Sequence, residues 1–216
     1  MRRLAVGAPV TVRDGAGTAA SGTLVRMSKQ HLELSIERPH CPPPLAPVHL
    51  LVPVADKERM LLLAEKATEL GVTTWRPVLW RRSRSVAGRG EGPMFAQKVE
   101  ARMIGALLQS EGAWLPQRFT ESNAERAIAA LPAEGTRLLL DPTGVPLAGV
   151  PLAGPVTIAV GPEGGFEVDE VERLVATGFQ RVALAGGILR METAAIVALG
   201  VVRTLLALPE PRADNA

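Results

Sequence analysis

The sequence predicts an α/β fold in which helices flank a largely parallel β-sheet. Three observations indicate this class: apolar strands alternate with amphipathic helices from residue 48 onward, two of the strands end in glycine-rich turns, and a helix follows each of these turns. The chain has 216 residues, of which 47% are hydrophobic and 21% charged. That composition is typical of an ordered globular protein with one sizeable core.

The beginning of the chain predicts a small β meander. Short apolar segments at 10–12, 22–27 and 32–36 are separated by turn residues. Such short strands bury little apolar surface by themselves, so this piece must pack on the remainder or belong to a larger barrel. Consecutive prolines at 42–44 then predict a stiff linker. We therefore divide the chain into a domain of residues 1–40 and a domain of residues 45–216.

The second domain is predicted to alternate between strands and helices. Strands are expected at 49–54, 72–79, 137–140, 156–160 and 181–184. Helices are expected at 57–70, 94–109, 122–131, 168–176 and 191–208. Gly71 and Gly178 are placed to end the helices before them, because glycine adopts left-handed backbone geometry at little cost. The spacing of Ser122 and Glu125 is that of a capping box.

Composition excludes several classes of function. The single cysteine, Cys41, cannot form an intrachain disulfide, and the three scattered histidines have no metal-ligand spacing. No segment reaches the roughly 18 apolar residues needed to cross a bilayer, and no signal peptide follows Met1. The sequence therefore predicts a cytoplasmic protein without a metal site or a membrane partner. The formal net charge of +2 permits a nucleic-acid partner without requiring one.

The first glycine turn, residues 161–166, has the sequence Gly-Pro-Glu-Gly-Gly-Phe and follows a buried-type strand. At the carboxyl end of a parallel strand such a turn brings backbone N–H groups close to a ligand. It contains no lysine and lacks the spacing of a P-loop or a dinucleotide fingerprint, so Glu163 favours a neutral or cationic ligand. The alternative is a tight strand-to-helix connection, with Asp169 and Glu170 stabilising the next helix through its dipole.

The second glycine turn, residues 185–190, again lies between a strand and a helix. Parallel strands would bring both turns to one edge of the sheet, with Arg190 and Glu192 at the start of the last helix. Each of these two residues could equally be a structural partner of the helix end.

These motifs resemble the RsmE family of ribosomal RNA methyltransferases, which belongs to the SPOUT class. The resemblance rests on three segments in order over residues 48–208: Lys66-Ala67-Thr68-Glu69-Leu70-Gly71-Val72, the first glycine turn, and Ile188-Leu189-Arg190-Met191-Glu192-Thr193-Ala194. It implies a trefoil-knotted α/β domain that binds S-adenosylmethionine, a homodimer, and methylation of nitrogen 3 of a uridine in 16S small-subunit rRNA. It also implies a PUA-like N-terminal barrel for RNA. That barrel lacks its first strand here, so either it is incomplete or the natural start lies upstream of Met1.

The resemblance assigns roles to the residues at the predicted sheet edge. Cofactor contacts are expected from Leu140, Asp141, Gly161, Pro162, Glu163, Gly164, Gly165, Leu184, Ala185, Gly186, Ile188, Leu189 and Met191. Arg190 is expected to steady the target base or its developing anion. Glu192 would accept the imino proton or orient Arg190, and either residue could instead be structural. The target base must leave its stack to reach the methyl group.

The substrate side carries fewer family features. A loop with Arg81, Arg82, Arg84 and Arg89 could follow RNA phosphates, or it could be an ordinary solvated loop. Trp75, Trp80 and Trp114 are expected in the core or at a dimer contact rather than stacked on bases. Gly112 and Gly187 stand where the family has arginines. Two alternative functions follow, a non-catalytic RNA-binding or ribosome-assembly factor and a related SPOUT methyltransferase with another RNA target.

Overall fold

The computed structural model describes residues 5–83, 92–184 and 186–207. Within these ranges the strands are β1 (Pro9–Arg13), β2 (Ala19–Met27), β3 (Leu32–Ile36), β4 (Val48–Pro53), β5 (Thr74–Leu79), β6 (Gln117–Arg118), β7 (Ser122–Asn123), β8 (Thr136–Pro146), β9 (Val156–Ala159) and β10 (Phe179–Ala183). The helices are α1 (Lys57–Glu69), α2 (Pro93–Gln109), α3 (Ala124–Ala129), α4 (Val168–Ala176) and α5 (Met191–Ala207). The predicted end of the last helix, Leu208, falls outside the described residues.

The larger sheet has the order β10-β8-β9-β4-β5-β6, and β7 also pairs with β5. Every pairing in it is parallel, as the alternation of strands and helices predicted. The neighbours β8, β9 and β10 therefore have their carboxyl ends at one edge of the sheet. The two glycine turns, which follow β9 and β10, meet at that edge.

Helices cover both faces of this sheet. Leu50 and Val52 of β4 point to a core shared with α1, α2 and α5, whereas Leu51 points to a second core shared with α3 and α4. Alternate strand residues face opposite sides of a sheet, so a strand buried on both faces is apolar throughout. Trp75 lies in the first core and Trp80 in the second, which confirms their predicted burial.

The smaller sheet is an antiparallel meander of β1, β2 and β3, as predicted. It touches the rest of the chain through a short bridge between Ala16 and Trp114. The Trp114 ring lies over Gly17, and its indole N–H donates to the Pro42 carbonyl at 3.1 Å. Trp114 therefore contacts both the meander and the proline segment.

Two local predictions were wrong in detail. The cap of α3 is Asn123, whose side chain accepts from the Arg126 backbone N–H at 2.9 Å, rather than Ser122. Asparagine is as good a cap as serine and stands one residue closer to the helix. Strand β8 runs to Pro146 instead of ending at Leu140, because the pairing with β10 resumes at Val145 after an irregularity.

The capping box predicted for α3 occurs at α4 instead. The Glu167 side chain accepts from the third helical N–H, and the Glu170 side chain accepts from the Glu167 backbone. None of the described helices is long and apolar enough to cross a membrane.

Candidate active site

A cavity of about 720 Å³ lies where β8, β9 and β10 end. Its volume is in the range of small-molecule sites in proteins. Three chain segments form its walls: residues 140–142 of β8, most of the first glycine turn, and the described part of the second glycine turn with the start of α5. The parallel register of the three strands places these segments side by side.

The first glycine turn is stabilised by a hydrogen bond inside it and by packing of Phe166 against the second core. The Gly165 N–H donates to the Pro162 carbonyl at 2.8 Å, and Gly165 has a φ of 74°, which favours glycine. A Cβ at Gly161 would come within 2.9 Å of the Phe166 ring. That ring meets Trp80 edge-on at 4.9 Å. The turn therefore packs directly on the second core.

Two arginines that sequence analysis considered for RNA contact hold this turn and the helix that follows it. The Arg82 guanidinium donates to both Glu167 oxygens, at 2.7 and 2.9 Å, and to the Gly164 carbonyl at 2.9 Å. The Arg81 side chain donates to Asp169 at 2.9 Å. Both side chains are about half exposed or more, at 47% and 60%. Arg84 and Arg89 lie outside the described residues.

The wall formed by β8 is fixed by a small polar network. Asp141 accepts from the Thr143 N–H at 2.8 Å and from Arg181 Nε at 2.9 Å. Burial alone would raise the pKa of the Asp141 carboxyl, but these hydrogen bonds and the guanidinium charge together lower it. Asp141 therefore places a charged carboxylate in the cavity wall, and its oxygens already accept hydrogen bonds from Thr143 and Arg181.

The second glycine turn leaves its backbone open. A Cβ added at Gly186 or Gly187 would meet no atom within 4 Å, although both glycines line the cavity. Ile188 is 93% exposed, so a large apolar side chain stands at the rim without protein cover. Gly187, where the family has an arginine, belongs to this open part.

The structure brings most of the predicted cofactor residues together. The lining of the cavity includes Leu140, Asp141, Gly161, Pro162, Glu163, Gly165, Leu184, Gly186, Ile188, Leu189 and Met191. Gly164 is not part of it, and a Cβ at Gly164 would face Arg82 instead. Ala185 lies outside the described residues.

The two residues expected to act in catalysis are separated. Arg190 lines the cavity and is exposed, and its guanidinium makes no hydrogen bond or ion pair with the described residues. Glu192 lies beneath the wall, 7% exposed, and does not line the cavity. Its Oε1 is 4.0 Å from Arg59 Nε. No hydrogen bond or ion pair joins Glu192 to Arg190 in the described ranges.

Arg59 lines the cavity and was missed by sequence analysis. It lies in the first turn of α1 and donates to Glu163 of the first glycine turn. No local pattern could reveal it, because its partner is 104 residues away along the chain.

The cavity suits a ligand with apolar and charged parts. Leu140, Leu184 and Leu189 supply apolar wall, while Glu163 and Arg190 supply charges of both signs at the same edge. Open glycine backbone allows close approach to a ligand. The described residues contain no group of histidines, cysteines and acids that could hold a metal ion.

Comparisons with known proteins agree with this geometry. A family model described as an RNA methyltransferase domain matches residues 41–203. A relative from Synechocystis sp., named ribosomal RNA small subunit methyltransferase E, is 31% identical over 94% of this chain and 68% of its own length. A relative of the same name from Mycobacterium tuberculosis is 30% identical over 95% of this chain and 81% of its own length.

Solved structures resemble the whole described fold. A ribosomal RNA small subunit methyltransferase E from Neisseria gonorrhoeae, bound to S-adenosyl methionine, superposes with a TM-score of 0.83 at 27% identity and covers 94% of this chain and 85% of that chain. A putative methyltransferase from Legionella pneumophila, with the same cofactor bound, gives 0.80 at 25% identity over 92% of this chain and 84% of that chain.

Proposed function

Since this chain belongs to the ribosomal RNA small subunit methyltransferase E family, we propose that it methylates nitrogen 3 of a uridine in 16S rRNA. The protein is an S-adenosylmethionine-dependent rRNA methyltransferase. The observation that carries the proposal is the family match over residues 41–203, together with the cavity at the ends of β8, β9 and β10.

The cofactor would lie in this cavity. Its adenine and methionine parts would contact Leu140, Leu184 and Leu189, and the open backbone of Gly165 and Gly186 would approach its polar atoms. When bound, S-adenosylmethionine supplies an electrophilic methyl group on a sulfonium. Asp141 and Glu163 are the acidic residues of the described lining, and each is already paired with an arginine, Arg181 and Arg59 respectively.

Arg190 is the residue we assign to the reaction. Methyl transfer forms the bond between N3 and the methyl carbon, breaks the bond between sulfur and that carbon, and releases the imino proton of the uridine. A guanidinium close to the base stabilises the negative charge that develops as the proton leaves. Arg190 is available for this role because it lines the cavity without a partner among the described residues. Buried Glu192 would serve as the proton acceptor only after a local movement that exposes it.

The substrate would be bound by a basic surface next to the cavity. Arg81 and Arg82 are exposed enough to exchange a carboxylate partner for a phosphate oxygen, and Arg84 and Arg89 continue the same segment. We assign RNA contact also to the meander, as part of a PUA-like domain of residues 1–40. For residues 45–216 we propose a trefoil-knotted chain path. The protein would assemble as a homodimer and be located in the cytoplasm.

The function is tested with cofactor and substrate in sequence. Calorimetric titration of the full chain with S-adenosylmethionine should show binding, and absence of binding in a folded protein would contradict the function. Incubation with small ribosomal subunits that lack the modification, followed by mass spectrometry of the rRNA, should then show one methyl group on a uridine. The same assay with tRNA distinguishes a related enzyme with another RNA target.

Substitution of Arg190 tests its role in the reaction. Arg190→Ala should lower the transfer rate at saturating cofactor by about 100-fold or more, because one preorganised group that stabilises charge is typically worth that much. Its unfolding temperature should stay unchanged, since the guanidinium makes no hydrogen bond or ion pair with the described residues. Arg126→Ala, on α3 and outside the cavity, serves as the control with unchanged activity. A normal rate in Arg190→Ala would refute the assignment.

A non-catalytic RNA-binding factor is the second candidate. Two features favour it, namely glycine at positions 112 and 187, where the family resemblance leads us to expect arginines. Such a protein would bind small subunits without transferring a methyl group at any cofactor concentration.

A further inference from the structure

A charged network joins the two sides of the cofactor cavity, with Arg59 at its centre. Arg59 Nη1 donates to Glu163 Oε1 in the first glycine turn, and Arg59 Nε lies 4.0 Å from Glu192 Oε1 in the first turn of α5. Arg59 also lines the cavity. One side chain from α1 therefore bridges the segments that follow β9 and β10.

The backbone of Arg59 is fixed by the cap of its helix. Asp56 Oδ1 accepts from the N–H groups of Glu58 and Arg59 at 3.0 and 3.2 Å. The Arg59 side chain therefore starts from a capped helix rather than from a loop. Because the backbone there is fixed, the guanidinium has a better defined position.

Glu192 needs a cation near it. Its Oε2 is buried and finds no hydrogen-bond partner in the part of the chain that the structure describes. A buried carboxylate without a counter-charge is costly, and removing one member of such a pair leaves the other uncompensated. Across the described ranges, Arg59 is the cation recorded within 4.0 Å of Glu192.

We propose that Arg59 is a positioning residue that sets the distance between the first glycine turn and the start of α5 and neutralises Glu163 and Glu192, so that the cavity is preformed for the cofactor. The inference rests on the proposed function, because it names the residue that organises the same site. A guanidinium can present different edges to two carboxylates, which the point charge of a lysine cannot reproduce. A preformed site binds more tightly because less ordering is needed on binding.

Surface ion pairs elsewhere in the chain provide a matched control. Arg102 of α2 donates to Glu65 of α1 at 3.0 Å, and neither residue lines the cavity. An exposed pair of this kind contributes little to stability. Arg102→Met therefore removes an arginine–glutamate pair that joins α2 to α1, the helix of Arg59, without touching the site.

Calorimetric titration of the full chain with S-adenosylmethionine tests the proposal. Arg59→Met should raise the Kd about tenfold or more, Arg59→Lys should raise it about threefold, and Arg102→Met should leave it within about twofold of the natural protein. At saturating cofactor the transfer rate of Arg59→Met should return to within about threefold of the natural rate. A purely structural role would lower that rate together with the affinity and would contradict the proposal.

A double substitution asks whether Arg59 acts through Glu163. In a Glu163→Ala background, Arg59→Met should raise the Kd about threefold instead of tenfold, because one of the two carboxylate partners is already absent and only Glu192 then loses its cation. A full tenfold loss on top of Glu163→Ala would overturn this route.

Three outcomes separate an effect on folding from an effect on function. If circular dichroism shows that Arg59→Met is unfolded, Arg59→Lys decides, and an unchanged Kd in that variant overturns the proposal. If the natural protein itself binds no cofactor, the proposed function fails. If the natural protein binds and Arg59→Met binds equally well, only the role of Arg59 is refuted.

Discussion

Gly144 allows β8 to pair with β10 again after residues 140–142, which form part of the cavity wall. A Cβ built there would lie 2.4 Å from the backbone carbon of Arg181 and 2.4 Å from the backbone nitrogen of Val182. Backbone of a paired strand cannot move away as a flexible side chain can. Gly144→Ala should therefore lower the free energy of unfolding by about 1–3 kcal/mol and weaken cofactor binding, measured by urea denaturation and calorimetry.

Gly105 provides the control for this substitution. It lies exposed inside α2, and a Cβ there would meet no atom within 4 Å. Alanine should raise the free energy of unfolding by about 0.5–1 kcal/mol, because glycine is a poor helix residue. Equal free energies of unfolding in the two alanine variants would show that the close approach of β8 and β10 at Gly144 does not affect stability.

His49 makes the stability depend on pH. Its ring Nδ1 shares a hydrogen bond with Thr74 Oγ1 at 3.0 Å, and burial, followed by the charge of Arg76, lowers its pKa below the ordinary value of 6.5. The unfolded chain therefore takes up a proton at a higher pH than the folded protein, so the stability from neutral His49 is complete above that value and declines as the pH falls below it.

Replacing His49 should remove this dependence. Denaturation of His49→Asn between about pH 7.5 and pH 5 should show a smaller loss of unfolding free energy than the natural protein, since the unfolded chain no longer gains a proton there. Equal slopes in the two proteins would mean that other groups account for the pH dependence.

At the level of elements, Arg203 connects α5 to the end of α1. Its guanidinium donates to the Leu70 carbonyl at 2.8 Å, to the Ala46 carbonyl at 2.5 Å and to the Gly71 carbonyl. Burial lowers the pKa of Arg203. A cation at a helix carboxyl end also interacts favourably with the helix dipole.

Arg203→Met should destabilise the protein by about 2–4 kcal/mol, because carbonyl groups would lose charged donors. Arg203→Lys should lose less, since it keeps the charge but cannot reach all the acceptors. Thermal denaturation of the pair checks this order, and a methionine variant as stable as the lysine variant would contradict it.

The order of elements was predictable because it depends on local patterns. Alternating strands and helices indicated the parallel sheet, and the glycines after β9 and β10 indicated the ligand edge. The predicted strand at 137–140 was shorter than β8 because the residues from Asp141 to Gly144 are typical of a turn. Only the pairing with β10 shows that the strand continues after them.

Side-chain partners were the part that local patterns could not supply. Arg82 was interpreted as an RNA contact because it stands in a basic loop, yet in the structure it binds Glu167, 85 residues further along the chain. Arg59 was not singled out at all, although it contacts the first glycine turn. Ion pairs between residues far apart in the chain have no fixed spacing in the sequence. The position of the cavity could therefore be predicted, whereas the ion pairs that hold its walls could not.

At the scale of the whole molecule, the hydrogen bonds of the linker support the division that we propose at residue 45. The Ala46 carbonyl accepts from Arg203, and the Pro47 carbonyl accepts from the Val156 N–H at 2.9 Å. Pro42 instead accepts from Trp114, which also covers Gly17. Ala46 is therefore bound to α5 and Pro47 to β9 of the larger sheet, whereas Pro42 contacts Trp114 beside the meander.

A chain of residues 45–216 should consequently fold and bind cofactor. It keeps both cores and the whole described lining of the cavity, so the Kd for S-adenosylmethionine should stay within about threefold of the full chain. Loss of the meander removes the surface we assign to RNA, so methyl transfer to small ribosomal subunits should fall at least tenfold through a higher KM. Calorimetry and the transfer assay measure the two effects separately. Full activity of the shortened chain would refute the RNA-binding role of residues 1–40, and loss of cofactor binding in a folded product would refute the division at residue 45.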